Sequence, residues 1–559
     1  MRKHLRPLAL ALAATMMLTA CSGGSSTSAT AASGTTAAST AGGTGSNTAG
    51  GAAGAAGSST AAADAGGAPH GTTKDTLIIR LQSDPGTLDI VQGNITESME
   101  IWSLCGNSLL VVKQDENGLY DTVVDDEYSM ATGYTFDDDN CGITFNLREG
   151  VKWHDGSDFT ADDVVFSILR YRDNATYSYV DFDDVQAIDS HTVHVGLKAP
   201  DAQALINVGA MFLCSKANTN EDDPSCFSKK YIGTGAWYVD SWVDGDSVTL
   251  KAFDDYFAGA PAIKTIVVRF INDASVAMME LETGGVDIVD VPDWSSVNSV
   301  MSGNYEGKIK YTGTTDLYLH HLWFNCSNDS PFKDIRVRHA VMYAVDREAL
   351  IYGAFEGLGE LAYTMESVTM GDVISLEDSW PFTHDIEKAK SLLAEAGYPD
   401  GFEATIINYG DQNDVLGNEI IANQLAEIGI KVSIESYDTP TWISRLTEQT
   451  AGWDMALRLY GGVNPMSRWT WLNVPQNTHV DPEINPEYKE LHELSLKALG
   501  TLDADERRKI HEEIQNRWFD EWAYTLPIFQ KIQYNLFADN LQGAERYGYY
   551  WRIKNAYFD

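Results

Sequence analysis

The stretch TFNLREGVKWHDG at residues 144–156 decides how this sequence is interpreted. Gly150 and Gly156 predict tight turns, because a residue without a Cβ atom tolerates positive φ. Soon afterwards, Thr160 followed by Asp163 forms a variant of the helix capping box, and apolar side chains at helical spacing come directly after it. The stretch therefore predicts turns that lead into a helix.

Segments that predict strands and helices alternate along the rest of the folded part. LIIRL at 77–81 and IVVRF at 266–270 are short apolar runs typical of buried strands. Asp334 and Asp385 each precede residues with helical apolar spacing, which makes both of them predicted helix N-caps. The sequence therefore predicts a mixed α/β protein.

The N-terminus has the layout of a secretory signal. A basic start is followed by an apolar run at 8–18, which is too short to span a bilayer. The run ends in LTAC at 18–21, which resembles the bacterial lipobox. We therefore predict a signal peptide at 1–20 and an acylated Cys21 as the mature N-terminus. The alternative is an ordinary signal peptide in which this cysteine occurs by chance.

A low-complexity segment follows the signal. Residues 22–71 are almost entirely Ala, Gly, Ser and Thr, with one formal charge at Asp64. Such a composition cannot bury enough apolar surface to fold. A flexible coil of about fifty residues reaches roughly 40 Å. We interpret residues 21–72 as the lipidated cysteine with its tether.

The composition of the remaining chain indicates a large, acidic, folded part. All 14 Trp, 26 Tyr and 19 Phe lie after the tether, which is enough for a large core and favours at least two lobes. The formal net charge of −41 argues against nucleic acid as a partner, because phosphates would be repelled.

The cysteines permit one disulfide to be predicted. Apart from Cys21 the chain has five, at positions 105, 141, 214, 226 and 326. Cys214 and Cys226 flank a polar, turn-like segment, so we predict a disulfide between them, and the pairing of the others stays open. None of the five has the close spacing of a zinc site, and we predict no metal.

The sequence lacks the common motifs of catalytic sites. The sequence contains no Gly-x-Ser-x-Gly elbow, no His-Glu-x-x-His and no Walker loop. GLGELA at 357–362 formally matches the dinucleotide fingerprint but follows a helical segment instead of a strand. The sequence therefore predicts a protein that is not an enzyme and has no cofactor. Paired carboxylates are too common in so acidic a chain to exclude a glycosidase.

Seven segments in order resemble the family 5 extracellular solute-binding proteins of ABC importers, the receptors for oligopeptides, dipeptides and nickel. Ala236 departs from the proline that is usual in the third segment. The segments lie at 83–89, 144–164, 233–237, 284–289, 334–340, 344–347 and 389–398.

The resemblance implies a two-lobed fold of the periplasmic-binding-protein type with an extra subdomain in lobe I. It places lobe I at 73–316 with its subdomain inserted at 119–230, lobe II at 317–529, and a return to lobe I at 530–559. Two crossing strands, near 317–325 and 529–534, would join the lobes and let them close on a ligand. Most matched residues are expected to serve the fold. We expect Gly233 and Gly235 to adopt positive φ in turns, and Arg336, Arg338 and Arg347 to form ion pairs.

The resemblance also implies ligand-facing positions. Asn94 and Thr96 would lie in a loop at the cleft. Strand alternation puts His321 and Trp323 on one face of the first crossing strand, and we predict that face to line the cleft. The second lobe would contribute Arg458, Tyr460, Trp469 and Trp471. For these residues, an ordinary surface loop or core packing is the alternative.

The loop around Pro465 lacks an acid that peptide receptors of this kind use. In relatives an aspartate near this loop holds the amino terminus of the peptide, whereas here no Asp or Glu occurs between Met455 and Val480. We therefore predict no ammonium salt bridge at this loop, because a buried ammonium needs a paired charge. The ligand would be blocked, neutral or anionic at that end, or a carboxylate elsewhere would hold it.

The favoured function is a monomeric, lipid-anchored receptor on the extracytoplasmic face of the cell membrane. It would bind a peptide or peptide-like solute and deliver it to the permease subunits of an ABC importer. The alternatives are a receptor for a chelated metal or an oligosaccharide, a signalling receptor, and a surface enzyme that degrades polymers.

Overall fold

The computed structural model describes residues 72–92, 96–115, 117–173, 180, 182–219, 229–327, 330–370, 373–409, 412–447, 452–461 and 487–559. Cys21, Asn94, Cys226, Trp469 and Trp471 lie outside them. Cys214 is described and buried, and it forms no disulfide with another described cysteine. The Cys214–Cys226 disulfide stays a prediction.

Twelve helices of the described chain carry labels here. They are α1 Thr96–Cys105, α2 Ala161–Asp173, α3 Ala204–Gly209, α4 Ala274–Thr283, α5 Trp294–Met301, α6 Ile335–Ala344, α7 Arg347–Ala354, α8 Ile386–Glu395, α9 Gln412–Ala426, α10 Thr439–Thr447, α11 Glu487–Leu499 and α12 Ala504–Arg517. The predicted caps are confirmed at Asp334 and Asp385, which accept hydrogen bonds from backbone N–H groups of α6 and α8.

The strands alternate with these helices. They are β1 Thr76–Leu81, β2 Val111–Gln114, β3 Tyr120–Val123, β4 Ala131–Phe136, β5 Gly142–Leu147, β6 Phe182–Asp189, β7 Thr192–Leu197, β8 Trp237–Val243, β9 Ser247–Ala252, β10 Thr265–Phe270, β11 Ile288–Asp290, β12 Ile309–Phe324, β13 Gly359–Leu361, β14 Glu403–Asn408, β15 Lys431–Ser436, β16 Met455–Gly461, β17 Thr525–Ala538, β18 Leu541–Gln542, β19 Glu545–Tyr547, β20 Tyr550–Arg552 and β21 Tyr557–Phe558. The runs at 77–81 and 266–270 are strands, as predicted.

One eleven-stranded sheet runs through the described part. Its order is β15-β14-β16-β12-β17-β11-β1-β10-β9-β8, with β13 paired to β17. The long strands β12 and β17 are antiparallel and form the centre of this order, and β12 has an irregularity between Thr315 and Leu319. On either side of them the strands pair in parallel, β1 with β10 and β11, and β14 with β15 and β16.

The apolar core is divided along the chain. The largest cluster of buried side chains lies entirely within residues 322–529. Two others combine residues between 77 and 309 with residues between 536 and 558, and a fourth lies within 109–213. That fourth cluster belongs to a separate four-stranded sheet in the order β4-β5-β7-β6.

The stretch at 144–156 forms the end of β5 and the turns that follow it. Gly150 and Gly156 have φ of +73° and +86°, as predicted. Asp163 accepts a hydrogen bond from the backbone N–H of Thr160 at 3.0 Å, which completes the capping box of α2. The expectation of positive φ is confirmed for these two glycines and is wrong for Gly233 and Gly235.

Of the three arginines that we expected to form ion pairs, only one does so. Arg336 pairs with Asp334, as expected. Arg338 instead donates to the carbonyl oxygens of Phe332 and Trp522 at 2.6 and 2.8 Å, and Arg347 donates to that of Pro527 at 3.0 Å. Both side chains are buried where carbonyl groups supply the acceptors, so the expectation of ion pairs is wrong for them.

Candidate functional site

A cavity of about 380 Å³ lies where the carboxyl ends of the parallel strands meet. Ligands of open α/β sheets bind at such ends, because the loops that follow the strands surround a crevice there. Its described lining is Arg80, Gln82, Asn272, Ala274, Val291, Pro292, Asp293, Trp294, His320, Phe355, Tyr409, Gln412, Asn413, Asp414, Leu459, Lys531, Ile532, Gln533 and Tyr534.

The lining comes from both halves of the large sheet. Arg80, Gln82 and residues 291–294 lie at the ends of β1 and β11, whereas Tyr409 and residues 412–414 follow β14. The floor is the middle of β17, at 531–534. Segments on both sides of β12 and β17 therefore surround the cavity.

The two basic residues of the lining are held in ion pairs. Arg80 is buried, lies 3.3 Å from the Asp290 carboxylate, and donates to the Ile271 carbonyl oxygen at 2.7 Å. Lys531 Nζ is 3.6 Å from Oδ2 of Asp316. Burial raises the pKa of Asp316, while the charge of Lys531 opposes that rise.

An aromatic contact closes one side of the cavity. The ring of Trp294 meets that of Phe355 edge-on, with centroids 6.2 Å apart. His320 stacks on Phe529 at 4.3 Å, and its Nε2 is 3.2 Å from Oδ1 of Asp414. The cavity thus has flat apolar faces as well as carboxylates.

Four of the predicted ligand residues have described side chains, and none of them belongs to the described lining of the cavity: Thr96, His321, Trp323 and Arg458. Thr96 is the first residue of α1 and is half-buried. His321 and Trp323 are buried, with ring centroids 6.4 Å apart. The guanidinium of Arg458 lies 5.0 Å from the Trp323 ring, and Tyr460 lies in β16 opposite Leu319.

Strand alternation accounts for the difference. His320 and Leu459 form a cross-strand pair that faces the cavity, whereas the next pair, His321 with Arg458, belongs to the other face. The roles predicted for His321, Trp323 and Arg458 stay predictions. The segment 291–294 was missed, and the signal that could have found it is its position directly after the matched segment 284–289, which leads into β11.

Residues 127–479 match the family described as Bacterial extracellular solute-binding proteins, family 5 Middle. The chain belongs to this family. Its members are binding proteins of the extracellular space. The predicted family is therefore confirmed.

Curated relatives extend the likeness over most of the chain. Heme-binding protein A of Haemophilus influenzae is 25% identical over 435 residues, which are 70% of this chain and 76% of that protein. Oligopeptide-binding protein AppA of Bacillus subtilis is 26% identical over 476 residues, 77% of this chain and 83% of that protein.

Solved structures share the fold. The periplasmic binding protein DppA from Helicobacter pylori, in complex with the peptide STSA, has a TM-score of 0.73 at 23% identity, covering 87% of this chain and 98% of that chain. Oligopeptide-binding protein AppA from Bacillus subtilis, in complex with a nonapeptide, has a TM-score of 0.71 at 21% identity, covering 88% and 100%. The predicted two-lobed α/β fold is confirmed.

Two features are absent from the described residues. No helix there combines the length and apolar character needed to cross a bilayer. No three His, Cys, Asp or Glu side chains of the described part are grouped to hold a metal ion.

Proposed function

We propose that this protein is a lipid-anchored receptor of an ABC importer that binds a peptide or peptide-like solute by closure of two lobes. The observation that carries the proposal is the cavity between segments from both halves of the sheet, with the paired strands β12 and β17 as its floor. Relatives named for dipeptides and oligopeptides support the ligand class.

The division of the core supports the two lobes. The buried cluster at 322–529 fits lobe II at 317–529, and the clusters of lobe I use residues up to 309 and from 536 onward. Between them β12 is exposed at 311–313, and its irregularity falls between Thr315 and Leu319. A hinge needs little buried contact, and β12 is least buried at these residues.

Backbone hydrogen bonds are among the described contacts between the lobes. The backbone N–H of Tyr120 donates to the Thr369 carbonyl oxygen at 2.8 Å, and that of Ala202 donates to Leu499 at 2.9 Å. Such contacts can exchange with water when the lobes separate. A ligand that contacts both lobes would therefore shift the equilibrium toward the closed form.

The ligand class is tested by denaturing the purified protein and identifying the released solute by mass spectrometry. We expect a peptide or a peptide-like compound. Recovery of a metal chelate or an oligosaccharide would contradict the peptide assignment and leave the receptor function. Turnover of the recovered solute by the native protein would contradict the receptor function itself.

The anchor is tested at Cys21. We expect Cys21→Ser to appear in the medium or as an uncleaved precursor, because the thiol that carries the lipid is gone. Membrane fractionation with mass measurement distinguishes these forms. A matched Ser22→Ala variant should stay membrane-bound as a mature lipoprotein. Mature Cys21→Ser protein in the membrane would rule out the lipid anchor.

A further inference from the structure

Negative charge is in excess in the lining of the cavity when the ion pairs of its residues are taken into account. Arg80 pairs with Asp290, and Lys531 lies beside Asp316. Neither of these partner carboxylates is part of the lining. Both lining cations are therefore already compensated from outside the cavity.

The lining also has two carboxylates, one on each side, and one of them, Asp414, is paired with His320. Asp293 follows β11 and caps α5, where its oxygens accept from the backbone N–H and the hydroxyl of Ser296 at 2.8 and 2.7 Å. Asp414 lies in the first turn of α9, with Oδ1 near His320. A carboxylate offers about four acceptor positions, so Asp293 retains capacity for a donor from the cavity.

A buried amide on the floor also lacks a donor. Gln533 is 5% exposed and lines the cavity. Its Oε1 has no hydrogen-bond partner among the described residues. A buried acceptor without a donor is costly, and a ligand that donates hydrogen bonds would remove this cost.

The aromatic lining suits the same chemistry. Trp294, Tyr409 and Tyr534 all contribute to the wall. A cation over an aromatic face is attracted by the negative charge of the ring surface. Carboxylates, an acceptor amide and aromatic faces together favour a cationic donor over an anion.

We propose that this cavity binds a primary ammonium group of the ligand, with Asp293 as its ion-pair partner and Gln533 as a further acceptor. The inference rests on the peptide-receptor function proposed above. It supplies a carboxylate for an ammonium in a chain whose segment from Met455 to Val480 has none.

The test uses three blocked tripeptides and calorimetry. N-acetyl-Ala-Lys-Ala-amide carries a side-chain ammonium, Ala-Ala-Ala-amide carries an amino-terminal ammonium, and N-acetyl-Ala-Ala-Ala-amide carries neither. We expect at least one cationic peptide to bind tenfold or more tightly than the neutral one, because hydrogen-bonded charges of this kind discriminate by that much. The two cationic peptides identify which ammonium is bound.

Asp293→Asn is the decisive variant. Asparagine also caps helices well, so α5 should be retained while the charge is lost. We expect the cationic preference to fall about tenfold. Asp273→Asn is the matched control, because Asp273 caps α4 through Val276 in the same way and does not line the cavity. The control should bind like the wild type.

The outcomes separate the two proposals. Equal affinity for all three peptides would contradict the ammonium site and leave the receptor function standing. Binding of none of them would contradict the ammonium site and count against the peptide assignment, and it would leave the receptor function standing. A cationic preference that survives in Asp293→Asn would show that this carboxylate is not the site.

Discussion

At the scale of single residues, His154 connects two segments that are remote in sequence. Its Nε2–H donates to the Gly235 carbonyl oxygen at 3.0 Å, and its Nδ1 accepts from the Gly233 N–H at 3.2 Å. One ring nitrogen thus donates while the other accepts, which is possible only for the neutral imidazole. Burial lowers the pKa of His154 to about 4.

This geometry predicts that the free energy of unfolding falls as the pH is lowered. Because the pKa of His154 is about 4 in the folded chain and near 6.5 in the unfolded one, the unfolded chain binds more protons between these values. We expect His154 to reduce the free energy of unfolding by on the order of 2 kcal/mol as pH falls from 6.5 to 4. Denaturant unfolding at several pH values measures it.

The control for this prediction is a second histidine in the same subdomain. His154→Gln should be less stable than the wild type at neutral pH, and its free energy of unfolding should fall less between pH 6.5 and 4. His191→Gln changes a histidine in the turn between β6 and β7, and its free energy of unfolding should fall as much as that of the wild type. An identical pH profile for His154→Gln and the wild type would contradict the assignment.

The roles of single residues were the least predictable from the sequence. Asp334 and Asp385 act within one helical turn, so local spacing was sufficient to predict them. Arg338 is held by carbonyl groups from sequence positions up to 184 residues away. An acidic composition favours the expectation of ion pairs, and no local signal marks a carbonyl partner.

At the scale of elements, the turn at 233–235 packs against the end of α1. A Cβ atom built on Gly235 would lie 2.4 Å from the carbonyl carbon of Cys105 and 2.6 Å from the Gly106 nitrogen. Glycine is required here by close approach of two backbones and not by a left-handed conformation. The sequence analysis expected this glycine to serve a turn through positive φ, whereas the structure shows that it serves close packing.

We expect Gly235→Ala to destabilise the protein by roughly 3 kcal/mol or more, because backbone atoms cannot move aside as a side chain can. Gly133→Ala is the matched control, since nothing lies within 4 Å of its added Cβ. That variant should be neutral within roughly 0.5 kcal/mol. Thermal unfolding of both variants tests the difference, and equal stability would contradict the packing argument.

The candidate site was predictable only in part, because the sequence does not show how the strands are placed in the sheet. Strand alternation defines two faces of β12 but not which face meets the cavity, because the twist and the neighbouring strands decide that. The residue of β12 that lines the cavity is therefore His320 and not the predicted His321, its neighbour in the chain. The three-residue strand β11 is too short for a periodic signal, so Asp293 and Trp294 after it were not predicted.

At the scale of the whole molecule, few side-chain contacts join the lobes at the cavity rim. Asn298 of α5 donates from Nδ2 to the carbonyl oxygen of Glu356 at 3.2 Å and to its carboxylate at 3.1 Å. Beside it, Trp294 meets Phe355. If closure retains the ligand, weakening this rim should speed release without altering the cavity floor.

We expect Asn298→Ala to release the co-purified solute about threefold to tenfold faster than the wild type, because two exposed hydrogen bonds contribute about 1 kcal/mol to the closed form. Dialysis with mass-spectrometric quantification of the retained solute measures this rate. Asn304→Ala is the matched control, because Asn304 donates to Ser299 within the same lobe at 3.0 Å and does not cross the cleft. Its release should follow the wild type. If Asn298→Ala retains the solute as long as Asn304→Ala does, the rim does not hold the closed form, and retention depends on contacts deeper in the cavity.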